Sequence, residues 1–266
     1  MYSSPFLPRV FVFFIITLFL LAACQPQTPP PATDPPQLVP ATDTPAPADE
    51  PDPADPSILR RDILLDPALA TDADSIKVNQ YLYIGLVVLD ESGNPQPGIA
   101  ESWLISDDQL AYTFTIRDDA AFSDGSPITP DAIVDNVNRW LDPESPLRGT
   151  GNYETWLAFF QGFLGEKDSN DRSVSPVDGV NKVDFNTVVL HLNRPVPDLL
   201  VYIADPAFAI LKPESLQDGN YGGINSRIIA SGPYQVSSWT SDKLVLTPNP
   251  AYWGLAAQVE LEFTFR

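Results

Sequence analysis

A mixed α/β fold is predicted for the stretch from Ile58 to Arg266, and three features predict it. Bulky β-formers alternate with Thr or Glu in "YTFTIR" (Tyr112–Arg117) and "VELEFTFR" (Val259–Arg266), the two-residue period of a half-buried strand. "TPDAIVDNVNRWLD" instead repeats apolar residues at the helical period and carries its own start signal. Strand-like and helix-like runs also interleave along the chain, so neither an all-α nor an all-β domain fits.

In chain order, "DSIKVNQYLYIGLVV" (Asp74–Val88) opens on an Asp or Ser cap. It places Ile76, Gln80/Tyr81 and Ile84 at helical spacing and breaks at Gly85 before a short strand and the turn Glu91-Ser92-Gly93-Asn94. Asp107-Asp108 marks a hairpin turn ahead of Tyr112–Arg117, and "FSDGSP" (Phe122–Pro127) reads as a tight turn. The next helix has Thr129 as N-cap and Pro130 at its first position, with Ile133, Val137 and Trp140 or Leu141 on one face. "TVVLHLN" and "KLVLTPN" read as strands, separated by a helix around Val196 to Ala204. The last strand alternates up to Arg266, so either it closes the fold as an edge strand or the chain is a fragment; the fragment reading is favoured.

Ahead of the domain the composition is different. Met1 to Arg9 has one basic residue, and Val10 to Ala23 is almost wholly apolar and ends on two small residues. That is the layout of a secretory signal, 1–23, and the run falls short of the roughly 20 apolar residues that a bilayer-spanning helix needs. Leu21-Ala22-Ala23-Cys24 resembles the bacterial lipobox, which implies cleavage before Cys24 and a lipid on its sulfur; a plain secretory peptide is the alternative. Two lipid chains suffice for stable membrane attachment. Cys24 is the only cysteine, so no disulfide forms within the chain and the domain relies on its core. Residues 24–57 form a linker rich in Pro, Ala, Thr and Asp with no Lys or Arg, too poor in apolar bulk to fold. At about 3.1 Å per residue, such a polyproline spacer reaches on the order of 90 Å.

The charge balance excludes one class of partner. A formal net charge of -20 argues against nucleic acid, whose phosphates require Lys and Arg. Catalytic candidates are sparse. His191, the sole histidine, sits inside a strand pattern, and a His/Cys metal site cannot be assembled from one of each. No nucleophile elbow, P-loop or dinucleotide fingerprint occurs. Asp107/Asp108 and Asp118/Asp119 are adjacent turn residues that point apart, a poor arrangement for flanking a glycosidic bond. The expectation is a non-enzyme without metal or cofactor.

Longer motifs carry a resemblance. "PGIAESWLISDDQLAYTFTIRDDAAFSDGSPITPDAIVDNVNRWLDP" (Pro97–Pro143) is similar to the signature region of the family 5 extracellular solute-binding proteins, the peptide- and nickel-binding receptors of ABC importers. "LDPALATDADS" with "YLYIGLV", "NTVVLHLNRPVPDLL" and "ASGPYQVSSWTSDKLVLTPNPAYWG" resemble further family segments in the family's order. The family's Gly-Thr before Gly232-Pro233-Tyr234 is Ala230-Ser231 here, and "ADPAFAILKP" lacks the arginine of some metal-chelate receptors, which weighs against a nickel chelate. The resemblance covers about the first half of family members and implies a truncated copy.

What the resemblance implies is a periplasmic-binding-protein-like fold of type II, two lobes closing on a ligand, with mostly one lobe present. That lobe, 58–266, would comprise a sheet domain at about 58–85 and 182–266 and an inserted subdomain at about 86–181. The implied function is a lipid-anchored, monomeric, extracytoplasmic receptor that hands a small solute, foremost an oligopeptide, to an ABC permease. A receptor-derived surface lipoprotein without transport, or a non-functional fragment, is the alternative, and a secreted carboxylate hydrolase is the third reading. By position within the matched segments, Thr71, Ser75 and Ile76, then Tyr153 and Trp156 after "RGTGN", and Asp205 and Phe208 would line the cleft. Trp156 leads, because an exposed indole supplies stacking area and a donor; core packing is its rival reading. Trp103, Trp239 and Trp253 are expected in the framework, and Gly125 and Gly232 in turns.

Overall fold

Two four-stranded sheets organise the domain in the computed structural model, which describes residues 57–60, 62–217 and 221–266. The expected signal sequence, Cys24 and nearly all of the linker lie outside those residues. Among the described residues, no helix is long and apolar enough to cross a membrane.

The first sheet joins β1 (Ile58–Leu59), β8 (Tyr234–Trp239), β9 (Lys243–Pro248) and β10 (Leu261–Phe265) in the order β1-β10-β9-β8. β10 runs parallel to β1 and antiparallel to β9. It is therefore paired on both sides, and the edge-strand alternative for "VELEFTFR" is overturned. Its alternation holds, with Phe263 buried and Glu262 and Thr264 exposed.

The second sheet joins β4 (Ala100–Ile105), β5 (Ala111–Ile116), β6 (Val177–Lys182) and β7 (Thr187–Leu192) in the order β4-β5-β7-β6, antiparallel throughout. It extends to Leu192, past the boundary expected near Lys182. The β4–β5 hairpin turns where Asp107-Asp108 predicted, and Asp108 accepts hydrogen bonds from the Ser106 hydroxyl and the Leu110 N–H. A small two-stranded ladder, β2 (Val87–Leu89) with β3 (Pro95–Pro97), precedes it.

Helix α2 (Pro130–Leu141) follows its sequence signals closely. Thr129 caps it by accepting from the Ala132 N–H, Pro130 occupies the first turn, and Ile133, Val137, Trp140 and Leu141 are all buried. These side chains meet Phe114, Ile116, Val188 and Leu190 of the second sheet in one apolar core. A second core gathers Leu59, Leu65, Leu244, Leu246 and Phe263 around the first sheet.

Two helices differ from expectation. The helix expected from an Asp74 or Ser75 cap to a break at Gly85 is α1 (Ala73–Leu82), capped by Asp72. It ends there because the Leu82 carbonyl is taken by the N–H groups of Ser231 and Gly232, at 3.1 and 2.8 Å. Tyr83 then turns extended, and the Ile84 carbonyl accepts from Ile210. Its buried face is Ser75, Val78, Asn79 and Leu82, not the stripe through Ile76 and Tyr81. The helix expected at Val196–Ala204 shrinks to α4 (Leu199–Tyr202). Pro197 disfavours helical geometry at Val196, and Pro206 does the same at Asp205, which is extended at φ -61° and ψ 137°. Chain after that point forms a 3-10 turn, Pro206–Phe208, and a short helix α5 (Pro213–Leu216).

Candidate functional site

α1 begins where it does because of two polar locks. The Asp72 carboxylate accepts from the Ser75 N–H at 3.0 Å, and the Ser75 hydroxyl in turn accepts from the Leu64 N–H at 2.8 Å. Burial pushes the Asp72 carboxyl up, but the hydrogen bonds from Ser75 and the charge of Arg60 outweigh it and hold the group below its ordinary value. Asn79 adds a third tie, donating to the Leu64 carbonyl at 3.1 Å. The start of α1 is thus fixed against the segment before it.

That fixed end forms one wall of an open cleft of about 270 Å³. Ile76, Asn79 and Gln80 of α1 face it, with Pro67 and Ala70 of the preceding segment. The opposite side is Asp205, Pro206 and Ala207 of the 3-10 turn, together with Thr155 of helix α3 (Glu154–Phe160). One Asp205 carboxylate oxygen caps the 3-10 turn by accepting from the Ala207 N–H at 2.9 Å, which holds the side chain at the rim. Walls so composed are apolar with a few polar groups, the usual make-up of a small-molecule site. Asn79 Oδ1 is buried there without a hydrogen-bond partner.

Of the expected site residues, Ile76 and Asp205 meet in this cleft. Thr71 is exposed just ahead of the Asp72 cap and does not line it. Ser75 is fully buried, its hydroxyl spent on Leu64. Tyr153 is buried at the left-handed start of α3, and its hydroxyl donates to the Arg148 carbonyl. Trp156, read from sequence as an exposed indole, is only 3% exposed. Its Nε1–H donates to the Gly162 carbonyl at 2.9 Å, and its ring packs 4.4 Å from Phe160. Phe208 is buried against the Trp140 and Trp156 rings. Trp156 and Phe208 therefore belong to the core under the cleft, because a seven-residue α3 can bury its aromatic face only by turning it inward.

Sequence reasoning missed the polar floor. Asn79 at the floor and the exposed Gln80 at the rim lie outside the expected site set, because the apolar period gives polar residues no weight as site candidates. The signal available was their position two turns after a capped start.

The framework expectations find clear roles. Trp103 and Trp253 pack on the core of the second sheet and Trp239 on that of the first. Ser231, standing where the family has Thr, donates to the Ile210 carbonyl at 2.7 Å and accepts from the Ile84 N–H. Gly125 sits in a turn at φ +81°, as expected. Gly232 does not: it allows a close approach, since a Cβ there would lie 2.9 Å from the backbone of Leu82 and Tyr83. His191 lies on β7 and pairs with the Asn181 side chain at 2.5 Å. Among the described residues, no group of three His, Cys, Asp or Glu is placed to hold a metal ion.

Comparison with known proteins places this geometry. The family model "Bacterial extracellular solute-binding proteins, family 5 Middle" matches residues 94–265. The periplasmic murein peptide-binding protein MppA of Escherichia coli K12 is 32% identical over 205 residues, covering 76% of this chain and 37% of that protein. The periplasmic oligopeptide-binding protein OppA of the same organism is 28% identical, covering 76% and 36%. Among solved structures, HbpA2 from Haemophilus parasuis superposes with a TM-score of 0.66 at 27% identity, covering 79% of this chain and 42% of that one. DppA from Helicobacter pylori, solved with the peptide STSA, gives 0.64 at 22% identity, covering 76% and 40%. The fold is that of a type II periplasmic binding protein, and the chain spans well under half the length of these relatives. With the family match running across both sheets, the chain belongs to the bacterial extracellular solute-binding proteins of family 5.

Proposed function

We propose that this chain is the solute-capturing lobe of a non-catalytic, lipid-anchored receptor that works outside the cytoplasmic membrane and delivers a peptide to an ABC permease. The observation that carries the reading is the family match over 94–265 on a lobe whose cleft is built on two rigidly capped elements. Relatives named for murein peptide and oligopeptide binding support peptide as the solute class. Cys24 supplies the anchor and the Pro-rich segment the reach, with the receptor acting as a monomer.

Capture follows from the geometry in physical terms. Ile76, Ala70 and Pro67 offer apolar surface to side chains, while Asp205 and Gln80 offer polar contacts at the rim. Tyr153, Trp156 and Phe208 act below it, holding α3 and the 3-10 turn so that the walls keep their spacing. A solute that contacts a second lobe as well biases the pair toward closure by its differential affinity for the closed state. No chemical step is needed for this task.

The test is binding by the purified full chain. Native mass spectrometry should find a co-purified peptide, and a short-peptide library should contain members that raise the melting temperature. Neither retention nor a shift, under conditions where a full-length relative binds, overturns the reading and leaves a surface lipoprotein without transport.

A further inference from the structure

A second cavity, about 170 Å³, opens against Asp66 and Leu69, the segment whose neighbours Pro67 and Ala70 line the cleft. Arg139, Arg148, Thr150 and Tyr221 contribute to its walls. Each guanidinium nitrogen of Arg139 already donates: Nη1 and Nη2 to Asp66, and Nε to the Leu147 carbonyl. Arg148 is different. Its Nη1 donates to the Arg139 and Trp140 carbonyls at 3.1 and 3.0 Å, at the end of α2. Its Cζ lies 4.2 Å from the Tyr153 ring centre and 4.1 Å from that of Phe163.

These contacts fix the plane of the Arg148 guanidinium and commit one nitrogen. The Nε–H and Nη2 donors have no partner among the described residues. They form the side-on fork that matches two oxygens of a carboxylate or phosphate, and a guanidinium already held by stacking loses little freedom on pairing. The charged residues lining the cavity are Asp66, Arg139 and Arg148, one positive charge in excess, while the Asp142 and Glu166 carboxylates also act on Arg148 from nearby. Asp66 repels an anion weakly, since both its oxygens already accept from Arg139.

We propose that this cavity binds a small oxyanion, a carboxylate or a phosphate, held side-on by Nε–H and Nη2–H of Arg148 with the Thr150 hydroxyl as a further donor. The site is separate from the solute cleft and does not rest on the transport reading. It gives a role to the "RGTGN" loop, from which Arg148 and Thr150 come.

The experiment follows the arginine Nε–H resonances of the full chain by NMR while sodium acetate or sodium phosphate is added, with sodium chloride at matched ionic strength as control. One Nε–H signal, absent in Arg148→Lys, should shift saturably, and the anion that saturates first identifies the source. Arg148→Lys keeps the charge but lacks the fork, and should weaken binding, followed on backbone amides, at least tenfold. Thr150→Val, exposed at the rim, should weaken it severalfold without touching the fold. No saturation beyond the chloride control overturns the proposal, as does a Thr150→Val chain that binds like the parent. If Arg148→Lys fails to fold because α2 loses its end contacts, the parent and Thr150→Val titrations decide.

Discussion

At the scale of single residues, the Asp66–Arg139 pair decides how the opening segment meets α2. Both side chains are at most 3% exposed, and the Ala68 N–H adds a hydrogen bond to the same carboxylate at 3.2 Å. Buried pairs gain little over apolar substitutes, but removing one partner strands a charge in low dielectric, at a cost of roughly 3–5 kcal/mol. Arg139→Met should therefore lower the urea midpoint severely, while Asp66→Leu combined with Arg139→Met should recover much of the loss. A double variant no more stable than Arg139→Met would show that the two side chains do not act as a pair. Asp66 was not legible as a partner in the sequence because Arg139 lies 73 positions further along the chain.

Among elements, those with local signals were legible and those shaped by distant backbone were not. α2 carries its cap, its first-turn proline and its apolar face within its own residues, so sequence and structure agree on all three. The β4–β5 hairpin is equally local. α1 was misplaced because its end is set by Ser231 and Gly232, far along the chain, and its buried face includes Ser75 and Asn79, polar residues paired with Leu64. The cleft was partly legible for a related reason: Ile76 lies one turn after the Asp72 cap and Asp205 itself caps the 3-10 turn, whereas the exposure of Trp156 depends on how α3 packs. Gly232 is the point at which the distant element grips α1. A methyl group there would meet the Leu82 and Tyr83 backbone at 2.9 Å, contacts that cannot swing away as a flexible side chain would. Gly232→Ala should cost about 1–3 kcal/mol, the range of core overpacking, read as a fall in the urea midpoint. A neutral outcome would mean that the segment is free to shift off the end of α1.

Across the whole domain, the two apolar cores are joined by a polar seam, and that seam contributes to the acid response. Asn136 of α2 exchanges two hydrogen bonds with the Leu211 backbone, at 2.7 and 3.0 Å. Ser123 does the same with Ala230, and beside it Asp124 pairs with Lys212 at 2.6 Å. Burial pushes the Asp124 carboxyl up, but Lys212 and the Ser126 hydroxyl and N–H overcome this and bring it down to about 2 from an ordinary 3.8. A carboxyl depressed in the folded state stabilises fully above its unfolded value and loses that contribution as pH falls through the folded one. The window is therefore from about pH 4 down to about pH 2. With the side chains 17% and 24% exposed, solvent screens the pair in part and the contribution is modest. Asp124→Asn should melt below the parent at pH 7, and the gap should close as the pH is lowered to about 2, where the parent carboxyl is itself protonating. Melting curves by circular dichroism at pH 7, 4 and 2 supply the comparison. A gap that stays constant over that range would assign the loss to packing at the Phe122–Pro127 turn and remove Asp124 from the account of acid stability.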